Sequence, residues 1–254
     1  MLSPLLRAAS RRLAFRLNST GISLKKNILI VGGSSGIGLE LARHYVGEGH
    51  RVCITGRGDP GLSNAQFFRL PITASADDLA KGISDLVAAF HGVHTLVYAA
   101  GFLQRGPIET LSDEALLTMT HVGLLAPMML AARLKPLAPT PLKLMLVTSS
   151  SQYTPRPQEP AYSATKAGLA MLGACLVRDP GFGKVLVVAP SGIQTPFWDR
   201  TDEDTSTMLD PIWTAEQIVA LSSGPFKYKY AKLLRNPARV EVVETFDNNF
   251  SPIN

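Results

Sequence analysis

Two residue pairs in this chain have a spacing that suits proton chemistry. Tyr162 and Lys166 stand in YSATK, and Tyr228 and Lys232 in YKYAK. On a helix such a pair shares a face. A free phenol ionises at about pH 10, which matches neutral-pH proton transfer poorly. An ammonium one turn away lowers that value by its charge. The pattern is not specific by itself, since this chain carries it twice. Context separates the pairs. Ala167 and Gly168 follow the first, small residues that let a helix approach a ligand. Thirteen residues before Tyr162 stands Ser149, at the end of the apolar run LKLMLVT, whereas thirteen before Tyr228 stands Ala215. The second pair is expected at the surface, without chemistry.

The segment that must position such a site is NILIVGGSSGIGLELAR, from Asn27 to Arg43. Four apolar residues, Ile28 to Val31, predict a buried strand. A glycine-rich turn follows, with Gly32, Ser34, Ser35, Gly36, Ile37 and Gly38, and then a helix. Glycines there permit a tight bend and close approach of backbone to a ligand. The free N–H groups and the dipole of the helix start favour an anion such as a pyrophosphate.

This turn resembles the TGxxxGIG fingerprint of the short-chain dehydrogenases/reductases, with Val31 at the usual threonine. The likeness runs from about Lys26 to about Thr195 and more weakly to Leu221. The resemblance implies a doubly wound parallel sheet (Rossmann-like) in a single three-layer α/β/α domain, and hydride transfer between a nicotinamide cofactor and a carbonyl or alcohol. It assigns Tyr162 as acid/base, Lys166 as its tuner and a contact of the nicotinamide ribose, and Ser149, in preference to Ser150, as the holder of the substrate oxygen. It places Ala99, Ala100, Gly101, Ile193 and Thr195 beside the cofactor. No metal set is expected.

The second strand, RVCIT, ends at Gly56-Arg57. In dinucleotide folds an acid here bonds the ribose 2′-hydroxyl, and an arginine accommodates a 2′-phosphate. The reading is NADP(H) rather than NAD(H). Four departures from the family stand out. Pro71 replaces an aspartate at the end of the third strand, in the run FFRLPIT. Tyr98-Ala99-Ala100-Gly101 stands for NNAG, without its asparagines. His121 replaces an asparagine whose kinked backbone holds a relay water. Ser191 replaces the glycine of PGxxxT. These departures support an alternative, a non-catalytic dinucleotide-binding regulatory or assembly subunit; the intact serine, tyrosine and lysine oppose it.

Further along, helices are expected over Asp77 to Phe90, Asp113 to Leu134 and Tyr162 to Val177, and strands over Thr95 to Tyr98, Leu142 to Thr148 and Lys184 to Val188. The family implies that the long Asp113 helix carries a homodimer or homotetramer contact. Residues 196–211, with Asp202, Glu203, Asp204 and Asp210, occupy the position of a substrate lid. Phe197, Trp198 and Trp213 suggest an apolar substrate. A further helix follows Trp213, then a basic aromatic stretch, FKYKYAKLLR, and a last strand over Val240 to Thr245.

The chain has 254 residues, 46% of them hydrophobic, enough for one full α/β core. Its charge of +5 is concentrated near the start, where Arg7, Arg11, Arg12 and Arg16 stand with no acid. The remainder is almost neutral, which excludes a nucleic-acid stripe. Residues 1–24 therefore read as a mitochondrial transit peptide, with the matrix as destination, or as a disordered tail of a cytoplasmic protein; residues 25–254 form the domain. Cys53 and Cys175 read as buried reduced thiols. No apolar run reaches the length of roughly 18 residues that a spanning helix needs.

Overall fold

The computed structural model describes residues 25–199 and 201–251. The first strand, β1 (Asn27–Val31), shows why the sheet is buried on both faces. Ile28 and Ile30 pack into one apolar layer, and Leu29 and Val31 into the other. A strand with helices on both sides needs such a continuous apolar run. Helix α1 (Gly36–Gly47) covers the first layer, and β2 (Arg51–Gly56) and β3 (Ala65–Arg69) extend the sheet. Helix α2 (Ala76–Ala89) returns on the opposite face and leads to β4 (Thr95–Tyr98).

After β4 come α3 (Asp113–Thr120), α4 (Ala126–Leu134), β5 (Leu142–Val147), α5 (Pro160–Leu176), β6 (Phe182–Pro190), α6 (Pro211–Ser222), β7 (Tyr228–Leu234) and β8 (Arg239–Phe246). The strand order is β3-β2-β1-β4-β5-β6-β7-β8. All neighbours are parallel except β8, which runs antiparallel to β7. Helices α2, α4 and α5 lie on one face and α1 and α6 on the other, the doubly wound architecture expected. The order reverses between β1 and β4, and ligands of such sheets bind at the carboxyl ends there.

Local signals set the helix starts. The side chains of Ser75, Ser112 and Asp210 accept the backbone N–H of Asp78, Ala115 and Trp213 at 3.2, 3.2 and 2.7 Å. Ser35 precedes α1 in the same way, but its side chain caps no N–H. The first-turn donors of α1 stay free for another partner.

Four expectations need correction. The Asp113 helix is not uniform, because a π-helical turn, His121–Leu125, separates α3 from α4. With this turn and the 3-10 turn Lys135–Leu137 the rod runs 25 residues, Asp113–Leu137, and by length and composition alone it could cross a membrane. Within its most apolar stretch, 44% is buried inside the fold. The third strand stops at Arg69, short of Pro71, which has no N–H for a ladder. The basic aromatic stretch is a strand, β7. Its Tyr228, expected at the surface, is 6% exposed and packs in the core, because a central strand buries both faces. Cys53 is buried, but Cys175 is exposed on α5.

Candidate functional site

A cleft of about 430 Å³ opens over the carboxyl ends of β1, β4, β5 and β6. The turn after β1 forms one end. Gly32 has φ +83°, and a Cβ there would lie 2.6 Å from the Ala100 nitrogen. The turn therefore rests directly on the end of β4 and brings Ala99, Ala100 and Gly101 to the same cleft. Ser34, Ser35, Gly36 and Ile37 line it as well. Gly38 does not. A Cβ on Gly38 would lie 2.1 Å from the Gly32 carbonyl oxygen, so this glycine lets α1 pack under the turn and touches no ligand space. Thr195 faces Gly36 from across the cleft, and Ile193 lines it beside Thr195.

At this end Arg57 follows β2 and lines the cleft, exposed to solvent. The Ser34 hydroxyl occupies the space that a side chain at residue 56 would need: a Cβ on Gly56 would lie 2.1 Å from it. A carboxylate cannot be accommodated there without moving Ser34. Leu70 and Ile72 line the neighbouring wall, where the family has its aspartate.

The other end holds the acid–base groups. Tyr162 and Lys166 are on the buried face of α5, 8% and 3% exposed. Burial pushes the Tyr162 hydroxyl well above its ordinary range; a hydrogen bond with Ser149 works against this, and the charge of Glu159 adds to it. The sequence argument expected Lys166 to bring Tyr162 down. In this structure burial dominates, because the Lys166 ammonium donates to the carbonyls of Val147 and Ala100, at 3.2 and 3.4 Å. Burial in turn lowers Lys166 to about 8.

Ser149 lies two residues past the end of β5 and lines the cleft together with Tyr162, and its Oγ accepts the Ser151 N–H at 3.1 Å. Ser150 also lines the cleft, and its Oγ accepts from Arg156 at 2.9 Å. The decoy pair lies elsewhere, with Lys232 bound to Glu241 at 3.1 Å on β8.

The segment 196–211 covers the acid–base end. Its Phe197 ring is 6.0 Å from that of Tyr162, centroid to centroid. Trp198 donates its indole N–H to the Ile193 carbonyl at 3.0 Å. Arg105, from the loop after β4, donates to Glu203 at 2.9 Å and so ties this segment down. Trp213 was expected among the substrate contacts; it packs instead on the core beneath α6.

The departures from the family have local explanations. The hydroxyl of Tyr98 donates to the carbonyl of Val122 inside the π turn, a brace in place of an asparagine. His121 is 5% exposed and its Nδ1 bonds the Thr73 carbonyl at 2.7 Å, so its ring holds a loop. Ser191 donates its hydroxyl to the Leu233 carbonyl at 2.8 Å and fastens the PGxxxT-like loop to β7. Sequence reasoning missed Ser151, Arg156 and Glu159. Glu159 had one signal, its place three residues ahead of Tyr162, one turn away.

Comparison with known proteins agrees with this geometry. The profile described as short chain dehydrogenase matches residues 26–206. An L-xylulose reductase of Caenorhabditis elegans is 25% identical over 201 residues, 73% of this chain and 80% of that protein. An alcohol dehydrogenase of Thermococcus sibiricus, solved with 5-hydroxy-NADP, superposes with a TM-score of 0.70 at 20% identity, covering 85% of this chain and 99% of that one. A short-chain dehydrogenase of Sphingobium yanoikuyae in complex with NADPH gives 0.66 at 19%, covering 77% and 83%.

Proposed function

Because the chain belongs to the short-chain dehydrogenase family of oxidoreductases, we propose that it transfers a hydride, reversibly, between NADP(H) and a carbonyl or alcohol substrate. One observation carries the reading: Ser149, Tyr162 and Lys166 meet at one end of a cleft whose other end is the uncapped start of α1.

The residues fit a dinucleotide. The free first-turn N–H groups and the close turn at Gly32 suit a pyrophosphate. When bound, NADPH supplies the hydride. Tyr162 gives its phenolic proton to the substrate oxygen. Its burial keeps it as the neutral phenol, the form a reduction needs. Lys166, cationic at neutral pH, favours the phenolate left behind and offers its remaining donor capacity to the ribose. Ser149 holds the substrate oxygen. Phe197 and Trp198 exclude water and favour an apolar substrate; a lipid-like carbonyl compound fits them.

Two features support NADP(H) over NAD(H). Arg57 offers a cation for the 2′-phosphate. The Ser34 hydroxyl takes the space in which an acid would select against that phosphate.

The binding-subunit alternative draws on the four departures. Tyr98, His121 and Ser191 each have a structural task outside the acid–base centre, which weakens that support. We extend the proposal to a homo-oligomer through the rod, where Leu117 and Met128 are exposed, and to a mitochondrial destination for the basic start, which lies outside the described residues.

The test is NADPH consumption against a panel of ketones, aldehydes and acyl thioesters. Turnover of at least one class is expected. NADPH binding with no turnover on the whole panel contradicts the enzyme reading and favours the binding subunit.

A further inference from the structure

Arg235 closes the basic aromatic stretch FKYKYAKLLR, just past the carboxyl end of β7. The lysines of that stretch are all engaged. Lys227 donates to the Phe182 carbonyl, Lys229 to the Leu221 carbonyl at 2.9 Å and Lys232 to Glu241 at 3.1 Å. Arg235 is half-buried, lines the cleft and pairs with no acid among the described residues. The acids of the cleft are committed elsewhere. Glu159 faces Arg105 at 3.9 Å and Arg156 at 3.8 Å, and Glu203 takes Arg105 at 2.9 Å. The backbone fixes where Arg235 stands. Leu234 pairs with Arg239 across the β7–β8 hairpin, so Arg235 opens its turn. The loop after β6 is fastened beside it, since the N–H and the hydroxyl of Ser191 both donate to the Leu233 carbonyl at 2.8 Å.

Sheet geometry limits what this cation can meet. Neighbouring strands lie about 4.8 Å apart. From β1 to β7 is four steps in the strand order, about 19 Å, and β2 lies one step further. A pyrophosphate at the start of α1 and a 2′-phosphate at Arg57 are therefore out of its reach. Lys166 marks the acid–base centre at the ends of β4 and β5, through the carbonyls of Ala100 and Val147. From β5 to β7 is two steps, about 10 Å. We infer that Arg235 is a specificity-determining residue that binds an oxyanion, a carboxylate or a phosphate, at the far end of the substrate, about 10 Å from the carbon that exchanges hydride. The planar guanidinium fork suits either group. The substrate is then amphipathic, with its apolar body against Phe197 and Trp198 and its charge on Arg235. Its identity as a substrate rests on the hydride-transfer reading proposed above.

Calorimetric titration of the full chain, with and without NADPH, tests this with three probes of one length: octanoate, monooctyl phosphate and the uncharged methyl octanoate. At low ionic strength at least one anion should bind the parent tighter than the ester by about tenfold or more, and the tighter of the two identifies the end group. Arg235→Met should bring that anion down to the affinity of the ester and leave the ester itself unchanged, which also reports that the variant is folded. Arg239→Met removes an equal charge from the same hairpin, outside the cleft, and should keep the preference. No preference in the parent, a preference that survives Arg235→Met, or an equal loss in Arg239→Met overturns the inference. A kinetic arm uses the ω-oxo acid of the same length and its methyl ester, where the preference should appear in KM. Binding needs no turnover, so the two readings fail separately. Turnover of carbonyls without an anion preference removes the role of Arg235 alone. An Arg235-dependent preference without turnover upholds the anion site and counts against hydride transfer.

Discussion

Lys166 stands one helical turn after Tyr162, yet its ammonium donates to the main chain, to Val147 at 3.2 Å and Ala100 at 3.4 Å. These carbonyls belong to the end of β5 and to the residues just past β4. The lysine therefore braces two strand ends at the bottom of the cleft as well as facing the tyrosine. The cost of placing it there is visible in its pKa, which burial lowers from 10.5 to about 8.

That shift sets a pH dependence. Below about 8 the lysine is charged in the folded and unfolded chains alike, and the full cost of burying the charge is present. Between about 8 and 10.5 the folded chain has lost the proton and the unfolded chain has not, so stability rises with pH. Lys166→Met lacks this term. At neutral pH it is expected to gain up to about 3 kcal/mol over the parent, less what the two abandoned carbonyls cost. The gap should move in the parent's favour as the pH rises through that window. Denaturant unfolding at neutral pH and at the upper end of the window measures it; a gap that does not change with pH contradicts the assignment.

Arg57 gives the cofactor prediction. Arg57→Ala removes a charge-assisted contact worth roughly 1.5–3 kcal/mol from NADPH and nothing comparable from NADH. Fluorescence titration with each nucleotide should show NADPH weakened by tenfold or more and NADH nearly unaffected. Equal losses, or tighter NADH binding in the parent, would remove the basis for an NADP(H) preference.

The sheet was legible in the sequence because its strands are short apolar runs such as Ile28 to Val31, with a glycine turn to mark the first. Ser149, Tyr162 and Lys166 were legible because a chain motif fixes their spacing. What stayed hidden depends on partners distant in sequence. Nothing in YKYAK says that β8 will cover one edge of β7 and that core residues will bury Tyr228. Tyr98 looked like a lost asparagine, because its acceptor lies on a π turn formed 24 residues later. Gly38 lies inside the motif, but its close contact is with the Gly32 carbonyl, a partner that the motif does not reveal. Glu159 had no motif to mark it.

Tyr98→Phe tests the brace. The substitution keeps the ring, which is fully buried, and leaves the Val122 carbonyl without the hydroxyl. An unsatisfied buried acceptor costs about 1–3 kcal/mol, so the thermal midpoint should fall by several degrees. A midpoint equal to the parent's would mean that the π turn satisfies this carbonyl without Tyr98.

The basic start makes a separate prediction. A fluorescent fusion of residues 1–27, which hold four arginines, two lysines and no acid, should enter mitochondria. Fluorescence confined to the cytosol, or purified native protein that still carries Arg7, Arg11, Arg12 and Arg16, speaks against a transit peptide.

The most direct measurement compares two tyrosines of the same spacing motif, both of them buried. Tyr162→Phe removes only the hydroxyl beside Ser149, so fold and NADPH affinity should persist while NADPH-driven carbonyl turnover falls by ~10²–10⁴-fold, the usual loss with a general acid. Tyr228→Phe removes a hydroxyl from a core side chain of β7, far in sequence from the acid–base centre. It should leave kcat within about twofold, a barrier change under about 0.5 kcal/mol. Parental turnover in Tyr162→Phe, on a substrate that the parent reduces, would contradict the account.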